Sequence, residues 1–399
     1  MIRIFFKTLW NNRMRNVLVF IELFIVSLVL VNLTIYFTER ARIRGIRNCY
    51  DMRNVVSLGL YNKVGDADDQ DGPFDERKRE IFRNLKLKLK SNELVESVSF
   101  AAYATPFYVD LTGCTHKIGN NEVDIEKGYV DFDYAQVMKI KPLKGRWFNE
   151  GDRGKAIRSV LISKSIDQKY FKGDAVGKTL SEPEPCRLEI IGVVDEFKRS
   201  DYEEPLNMGF VLNEDLTFNR RLEILVRARP GQAENFLKIA ENEVMTVLDP
   251  NLWGIRSQNS LDNIRSTEKL ESLQRRYLGI LLAIFVLINV LLGVIGILWY
   301  NTNLRVHEIG VKRAMGATGQ SIKKHLIFEN LLLGGLGLIV VALVYLQVPS
   351  VRITKVGPQV MYLSVIISMV VMILLILLST WIPATIAARI RPAEALKTE

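Results

Sequence analysis

The stretch VLVFIELFIVSLVLVNLTIYF, residues 17–37, carries one ionisable acid, Glu22, in an otherwise apolar run. A helix of this length, at 1.5 Å rise per residue, spans the ~30 Å hydrocarbon core of a bilayer. Its apolar residues occupy every helical face, whereas a helix of a soluble core carries a polar stripe. The run is longer than the apolar region of a signal peptide, and no small-residue cleavage site follows it. It predicts an uncleaved membrane anchor.

Three more apolar blocks of similar length lie at residues 277–300, 326–346 and 361–382. The segment 38–276, between the first block and the second, instead alternates short apolar runs with Gly, Pro and Asn turns, and it contains helical periodicity at residues 74–90. These patterns indicate strands and helices of a soluble domain. The predicted fold class is therefore a membrane α-helical protein with four transmembrane helices and a large α+β extracytoplasmic domain inserted between helices 1 and 2.

The net charge of +9 is unevenly placed along the chain. Residues 38–300 hold as many basic as acidic side chains, so the surplus lies elsewhere. Basic residues outnumber acidic ones in residues 1–16, 301–325 and 383–399, and the short loop 347–360 carries only Arg352 and Lys355. The positive-inside rule places these three segments in the cytoplasm, and the inserted domain and the short loop 347–360 outside. Both termini are thus predicted to be cytoplasmic. Basic charge that borders membrane spans favours lipid headgroups as partners and disfavours nucleic acid.

Two further observations qualify this topology. Several arginines directly follow the first span, but long domains are translocated largely regardless of their charge. These arginines are Arg40, Arg42, Arg44 and Arg47. The N-terminal segment MIRIFFKTLWNN opposes apolar and basic residues, so we expect residues 1–16 to form an amphipathic helix in the membrane interface.

Catalytic and metal-binding patterns are missing from the sequence. The three cysteines are Cys49, Cys114 and Cys186, an odd number that favours unpaired thiols, with a Cys114–Cys186 bridge as the alternative. The segment GDAVGKT at residues 173–179 is one residue shorter than a phosphate-binding loop and no helix can follow it, so it predicts a turn. The three histidines are scattered, and we expect them at the surface. The chain is predicted to be no enzyme and to bind no metal.

Two carboxylates and two asparagines lie within the apolar blocks. Glu22 and Glu329 lie near the predicted cytoplasmic ends of their spans, where water or the basic neighbours Arg15 and Lys324 can meet them. The interpretations left open are structural pairing and control of helix packing during a transport cycle. Asn32 and Asn289 are predicted to make hydrogen bonds between helices.

Several motifs resemble the MacB/FtsX-like permeases of ABC transporters. KIKPLKGRWFNEGD (139–152), VLISKSIDQKYFKGDAVGKTL (160–180) and LEIIGVVDEFK (188–198) are similar to the MacB-type periplasmic core domain. LRVHEIGVKRAMGAT (304–318) resembles the family's cytoplasmic EIGxxxAxGAT segment, and WIPATIAARIRPAEALKTE (381–399) its closing pattern. The resemblance covers essentially the whole chain.

The resemblance implies a permease subunit that does not form a conduit. A cytoplasmic ATPase would drive helices that move the periplasmic domain, and this mechanotransmission would expel a substrate already outside the cell inner membrane. Because the sequence begins sixteen residues before the first span, we expect the ATPase, with its ATP and Mg²⁺, to be a separate chain. A second permease protomer, identical or different, is implied. The resemblance does not decide whether a periplasmic adaptor and an outer-membrane channel take part.

The resemblance also implies that the loop 301–325 docks on the ATPase through a short helix at residues 306–315. The alternative is an amphipathic turn at the lipid surface. The predicted ATPase-coupling residues are Arg305, Val306, His307, Glu308, Ile309, Gly310, Lys312, Arg313, Met315 and Gly316. Among them, Glu308, Lys312 and Arg313 are expected to be exposed, and Gly316 with Gly319 to permit a sharp return to the membrane.

Two functions remain in competition within the family. Export or extrusion of an antimicrobial peptide, drug or lipoprotein is the leading hypothesis. An FtsX-like role, in which the permease activates an external cell-wall hydrolase and transports nothing, is the alternative, although such proteins usually carry a smaller external domain. A sensory receptor is disfavoured because the predicted cytoplasmic segments are too short for an output domain.

Overall fold

The computed structural model describes residues 13–63, 76–107, 112–119, 121–181, 187–213, 222–303, 306–351 and 356–387. The chain divides into two compact units. We call Met1–Arg42 together with Gln274–Glu399 the membrane unit, and Ile43–Leu273 the inserted domain. The predicted N-terminal amphipathic helix lies outside the described residues, apart from its last turn.

The helices of the described residues are α1 (Arg13–Gly45), α2 (Glu76–Lys90), α3 (Tyr134–Met138), α4 (Lys164–Tyr170), α5 (Ala233–Met245), α6 (Leu261–Asn303), α7 (Val306–Ala314), α8 (Gly319–Val351) and α9 (Pro358–Ala387). The strands are β1 (Val55–Asn62), β2 (Val95–Ala102), β3 (Gly113–Ile118), β4 (Asn121–Val130), β5 (Lys144–Gly145), β6 (Arg158–Ser163), β7 (Thr179–Ser181), β8 (Arg187–Val194), β9 (Phe197–Lys198), β10 (Pro205–Leu206), β11 (Met208–Leu212), β12 (Glu223–Ala228) and β13 (Trp253–Ser260).

Four helices, α1, α6, α8 and α9, are long and apolar enough to cross a membrane. They contain the four predicted spans, and α1 and α6 extend beyond them into the inserted domain, as the helix-forming sequences beside the spans predicted. The apolar window of α6 is only 6% buried, against 28% for α1, so most of its side chains face away from the protomer. The predicted fold class is confirmed.

One part of the inserted domain is a helix-on-sheet layer. Its strands β2, β12, β1 and β13 are neighbours in this order, and each pair is antiparallel. Alternate side chains of these strands point to one face, where Leu58 and Ile224 contact Phe82 of α2 and Phe236 of α5 in a single apolar cluster. All four side chains are buried, so the layer has its own core.

The other part closes on itself. Strands β11, β6, β8, β7, β3 and β4 follow one another, and a parallel pairing of β11 with β4 completes the circle. Val123, Ile162 and Ile190 belong to the cluster that fills it. His116 on β3 is fully buried opposite Val123, so the expected surface position is wrong for this histidine. The alternation of β3 turns this one residue inward while its neighbours remain exposed.

The sequence GDAVGKT forms the predicted turn. It connects the end of α4 to β7, and Gly173 and Gly177 adopt φ angles of +88° and +84°, which glycine reaches without steric cost. The turn is held by the buried carboxylate of Asp167, which accepts hydrogen bonds from the Ala175 amide at 3.0 Å and from Lys144 Nζ at 2.9 Å.

Two cysteines can be placed. Cys49 and Cys114 have free thiols, and Cys186 lies outside the described residues. Burial, followed by the negative charge of Asp195, raises the pKa of the Cys49 thiol above its ordinary value. Because the thiolate is the reactive form, Cys49 is a poor nucleophile at neutral pH.

Candidate functional site

The helix α7, between the second and third membrane-crossing helices, is seated by one apolar side chain. Ile309 is 4% exposed and packs with Ile322 and Leu326 of α8 and Ala384 of α9. Gly310, next to it, is also buried. A buried Ile side chain contributes about 2 kcal/mol to this packing through its apolar area. Seating by Ile309 therefore fixes which face of α7 is turned inward.

A tight reversal joins α7 to α8. The amide of Ala317 donates to the Lys312 carbonyl at 3.0 Å and that of Gly316 to the Arg313 carbonyl at 3.0 Å. With Gly316 at φ +94°, this is a Schellman cap, which satisfies the last carbonyls of the helix. Thr318 Oγ1 then accepts a hydrogen bond from the Ser321 amide at 3.2 Å and caps α8. The expected sharp return at Gly316 is present, whereas Gly319 is already part of α8.

The outer face of α7 is formed by residues at helical spacing. His307, Val311 and Met315 are exposed, and Met315 is 75% exposed although it is apolar. Positions i, i+4 and i+8 share one face of a helix. Val311 was not among the predicted coupling residues, but this spacing from His307 to Met315 would have identified it. Flexible, exposed methionines are common at protein-binding surfaces.

The other predicted coupling residues are distributed differently. Lys312 and Arg313 were expected to be exposed and are half-buried, and Lys312 lies where α7 meets α8. Val306 is also half-buried, and Glu308 lies on α7. Arg305 lies outside the described residues. The structure thus separates a seating side, with Ile309 and Gly310, from an exposed side.

A groove of about 200 Å³ lies where α7 meets α8. Both apolar and polar or basic residues line it, and these are Ile309, Lys312, Ala317, Ser321, Ile322, His325 and Leu326. Close by, the Lys323 ammonium lies 3.4 Å from the ring centroid of Trp381 and ties α8 to α9. The surface near α7 therefore combines apolar contacts with positive charge, which suits a protein partner or anionic lipid.

The two intramembrane carboxylates occupy different surroundings. Glu22 is half-buried and approaches Gly293 of α6 so closely that a Cβ at that position would lie 2.7 Å from its Oε1 atom. Glu329 on α8 is 5% exposed. Because glycine at position 293 has no side chain, α1 and α6 can approach each other at the Glu22 carboxylate.

The two intramembrane asparagines behave differently from each other. Asn32 Nδ2 donates to the Tyr345 hydroxyl of α8 at 2.6 Å, a hydrogen bond between helices as predicted for this residue. Asn289 Nδ2 donates to the Phe285 carbonyl of its own helix at 2.8 Å and is exposed, so the interhelical bond expected of Asn289 is not made among the described helices of one protomer and stays a prediction. The reason is that α6 turns most of this span away from the other helices.

A ladder of hydroxyl groups joins α1 to α9. Thr34 Oγ1 lies 2.5 Å from Ser368 Oγ, and Thr38 Oγ1 lies 2.5 Å from Ser364 Oγ. Ser364 and Ser368 are fully buried and also donate to carbonyls of their own helix. These contacts were not predicted, because threonine and serine within an apolar run do not indicate their partner. They give α1 a fixed register against α9.

Replacing both Thr34 and Thr38 with valine is expected to destabilise the membrane unit by about 1 kcal/mol, since interhelical hydrogen bonds in membranes average about 0.6 kcal/mol each. Unfolding of the full chain in mixed detergent micelles by titration with SDS measures the change. Thr385→Val is the control, because Thr385 Oγ1 donates to Trp381 of its own helix at 2.6 Å. Equal losses in the double variant and in the control would contradict the ladder.

The fold and the α7 site define a class: a multi-pass membrane protein with a large domain inserted after its first span and a seated helix between its second and third. The sequence pattern of the MacB-like periplasmic core domain matches residues 30–238, and that of the FtsX-like permease C-terminal region matches residues 280–392. The chain belongs to the MacB/FtsX-like family of ABC transporter permeases.

Proteins of similar sequence are named as ABC permeases or as fused ATP-binding/permease proteins. The uncharacterized ABC transporter permease YvrN of Bacillus subtilis (strain 168) is 22% identical over 423 aligned residues, which cover 100% of this chain and 99% of YvrN. The macrolide export ATP-binding/permease protein MacB 2 of Aeromonas hydrophila is 27% identical over 282 residues, 67% of this chain and 42% of MacB 2. The chain thus spans less than half the length of MacB 2.

Among solved structures, the periplasmic region of MacB from Actinobacillus actinomycetemcomitans aligns with a TM-score of 0.37 at 15% identity. The alignment covers 55% of this chain and 94% of that structure.

Proposed function

We propose that this chain is the permease subunit of an ABC transporter of the MacB/FtsX type, which passes ATP-driven motion from a separate cytoplasmic ATPase to its inserted domain. The motion extrudes or exports a substrate such as an antimicrobial peptide, a drug or a lipoprotein. The family membership and the relatives named as ABC permeases support the proposal. ATP and Mg²⁺ belong to the partner ATPase in this scheme.

The observation that carries the proposal is the division of α7 into two sides. Ile309 attaches the helix to α8 and α9, while Val311 and Met315 stay exposed on the opposite side. A force applied to the exposed side would reach two membrane-crossing helices through the seat, because close-packed side chains transmit displacement. An apolar side chain exposed at a helix between spans is also suited to a pocket on a protein partner.

The proposed arrangement places both termini and α7 on the cytoplasmic face of the cell inner membrane, and the inserted domain in the periplasm. The positive-inside distribution of charge supports it. A second protomer, identical or not, is part of the proposal, and the outward-facing α6 leaves a long apolar surface for it or for lipid. The participation of a periplasmic adaptor and of an outer-membrane channel stays a prediction.

The alternative, a permease that activates an external cell-wall hydrolase, uses the same coupling side of α7. The two functions differ in what the inserted domain acts on. ATP-dependent efflux of a macrolide from whole cells, lost when the chain is removed, would favour export, and ATP-dependent stimulation of a hydrolase would favour the alternative.

Substituting aspartate for both Val311 and Met315 is expected to reduce stimulation of the partner ATPase at least about tenfold. Burying one carboxylate without a partner at an interface costs well over 1.4 kcal/mol, which corresponds to that factor. The measurement is ATP hydrolysis by the candidate ATPase with the full chain in nanodiscs. Because both side chains are exposed, the variant should remain folded.

Gln320→Asp is the matched control. Gln320 is exposed at the start of α8, so this substitution adds a carboxylate near the same surface. We expect it to retain stimulation. Ile309→Asp, in contrast, should unseat α7 and abolish stimulation even if the ATPase still binds. A double variant with wild-type stimulation, or a chain with which no ATPase associates, would contradict the proposed function.

A further inference from the structure

The two helices that leave the membrane unit reach the inserted domain at neighbouring strands. The helix α1 ends at Gly45, and nine residues separate it from the start of β1; α6 follows β13 directly. Strands β1 and β13 are antiparallel, with Val56 paired to Ser260, so the start of β1 lies beside the end of β13. The Asn54 amide donates to Asp262 Oδ2 in the first turn of α6 at 2.9 Å. Both helices are therefore attached to one end of the sheet.

A buried lysine caps the first of these helices. Lys198 is 2% exposed, and its Nζ donates to the Ile43 carbonyl in the last turn of α1 at 3.1 Å. Helix-terminal carbonyls lack partners within the helix and carry partial negative charge, so a cation there is stabilising. Burial, more than any other influence, lowers the pKa of the Lys198 ammonium.

The same segment holds the second helix. Asp201, three residues after Lys198, accepts a hydrogen bond from Arg265 Nε of α6 at 2.7 Å. Its other carboxylate oxygen accepts from Asn48 Nδ2, just after α1, at 3.1 Å. One carboxylate thus joins the chain that leaves α1 to the first turns of α6.

The segment itself is fixed to the core of the inserted domain. It is the hairpin of β9 and β10, residues 197–206, in which Phe197 is 2% exposed and its ring lies 5.2 Å from that of Tyr50 and 5.6 Å from that of Phe210. The Tyr50 hydroxyl donates to the Lys198 carbonyl at 2.5 Å. A short hairpin anchored in a close-packed core moves with that core.

We propose that the hairpin 197–206 is the clamp through which paired displacement of α1 and α6 reaches the inserted domain, with Lys198 and Asp201 as its positioning residues. The transmitting role rests on the proposed function, whereas the clamp itself rests on the contacts above. In this arrangement the two helices cannot separate at the domain without breaking the bonds of Asp201. When the two helices move together, the hairpin moves with them, and the core of the inserted domain moves with the hairpin.

Hydrogen exchange of the full chain in nanodiscs, without an ATPase, tests the clamp directly. We expect Asp201→Ala to accelerate exchange about three- to fivefold in two segments far apart in sequence, residues 40–50 and 261–268, as loss of a partly exposed ion pair predicts. Lys198→Met should accelerate exchange about tenfold in residues 40–50 alone, because a buried charged hydrogen bond is lost. Glu203→Gln is the control, since its partner is Arg199 of the same hairpin, at 2.9 Å.

The same measurement with the ATPase, with and without ATP and vanadate, tests transmission. Asp201→Ala should retain ATPase association and hydrolysis but lose the nucleotide-dependent change of exchange in the inserted domain that we expect in the wild type. Acceleration confined to the hairpin, or a nucleotide-dependent change that persists in Asp201→Ala, would overturn the proposal. A wild-type chain without any nucleotide-dependent change would overturn the proposed function and the transmitting role, while the ATPase-free exchange pattern still decides whether the clamp exists.

Discussion

Arg227→Ala is expected to lower the free energy of unfolding of the inserted domain by about 4 kcal/mol, the largest stability effect of any substitution considered for this chain. Arg227 is 1% exposed on β12, and its guanidinium donates to three backbone carbonyls. Nε donates to Val137 at 2.5 Å, Nη1 to Arg53 at 2.7 Å and Nη2 to Asp51 at 2.5 Å. Alanine would leave these buried carbonyls without donors and a cavity beside them.

The contacts of Arg227 lie on the path from the membrane to the sheet. Asp51 and Arg53 belong to the segment that connects α1 to β1, so loss of the guanidinium would loosen the attachment of α1 as well as the core. Arg227→Lys should cost about 2 kcal/mol, because a compact ammonium cannot reproduce the three directions of a guanidinium. Burial lowers the pKa of Arg227, but the group remains charged at any ordinary pH.

Pulse proteolysis of the full chain in detergent at increasing urea measures these changes. Arg229→Ala is the matched control, because Arg229 lies two residues further along the chain and is exposed. We expect the control to stay within about 0.5 kcal/mol of the wild type. If Arg227→Ala behaved like Arg229→Ala, the three carbonyls would not depend on this side chain.

Asp152→Ala is expected to destabilise the inserted domain by about 3 kcal/mol. The buried Asp152 carboxylate accepts hydrogen bonds from Arg146 Nη1 at 2.5 Å and Nη2 at 2.7 Å, from the Asn149 amide at 2.9 Å and from Lys155 Nζ at 3.0 Å. These bonds close the segment GRWFNEGD, whose Gly145 lies so near the Ile191 carbonyl that no Cβ fits. The contacts of Gly145 and Asp152 thus explain why this part of the family-like motif needs glycine and aspartate at these positions.

The contribution of Asp152 should depend on pH. The Arg146 hydrogen bonds, more than any other contact, hold the pKa of this carboxyl well below its ordinary value. A depressed pKa in the folded state stabilises the fold above the unfolded pKa of about 3.9, and this stabilisation is lost as the pH falls toward the folded pKa. Hydrogen bonds from Arg53 are the chief cause that lowers the pKa of Asp51 to about 2. The stabilisation that Asp51 contributes is therefore also lost as the pH falls.

Urea midpoints of the wild type and Asp152→Asn between pH 7 and pH 3 check this dependence. We expect the difference between them to be constant above about pH 5 and to shrink below it. Glu150→Gln in the same turn is the control, because Glu150 and Arg153 form an ion pair with side chains 76% and 54% exposed. Such a pair contributes less than about 1 kcal/mol. A difference that does not change on acidification would contradict the role of Asp152.

The candidate site was partly predictable. The motif at residues 304–318 placed a short helix correctly, and the sharp return expected at Gly316 is present as a helix cap. It did not distinguish Ile309, which seats the helix, from Val311, which is exposed. A helix of nine residues with apolar residues on two sides has no periodicity that selects the inward side.

The sequence by itself determined the membrane-spanning segments, the position of the large domain between the first and second of them, and the mixed class of that domain. Partition of a segment of about 20 residues into a bilayer depends on the composition of that segment, which is local and can be read directly. Strand and helix signals are local in the same sense. These features needed no knowledge of contacts.

Only the tertiary structure decided which groups meet. The Asn32–Tyr345 bond joins residues 313 positions apart, Arg227 reaches carbonyls 174 and 176 positions away, and Lys198 caps a helix through a carbonyl 155 positions earlier. The burial of His116, the closed circle of strands and the clamp at Asp201 arise in the same way. Such pairings depend on how several elements pack together, and no single segment of the sequence carries that information.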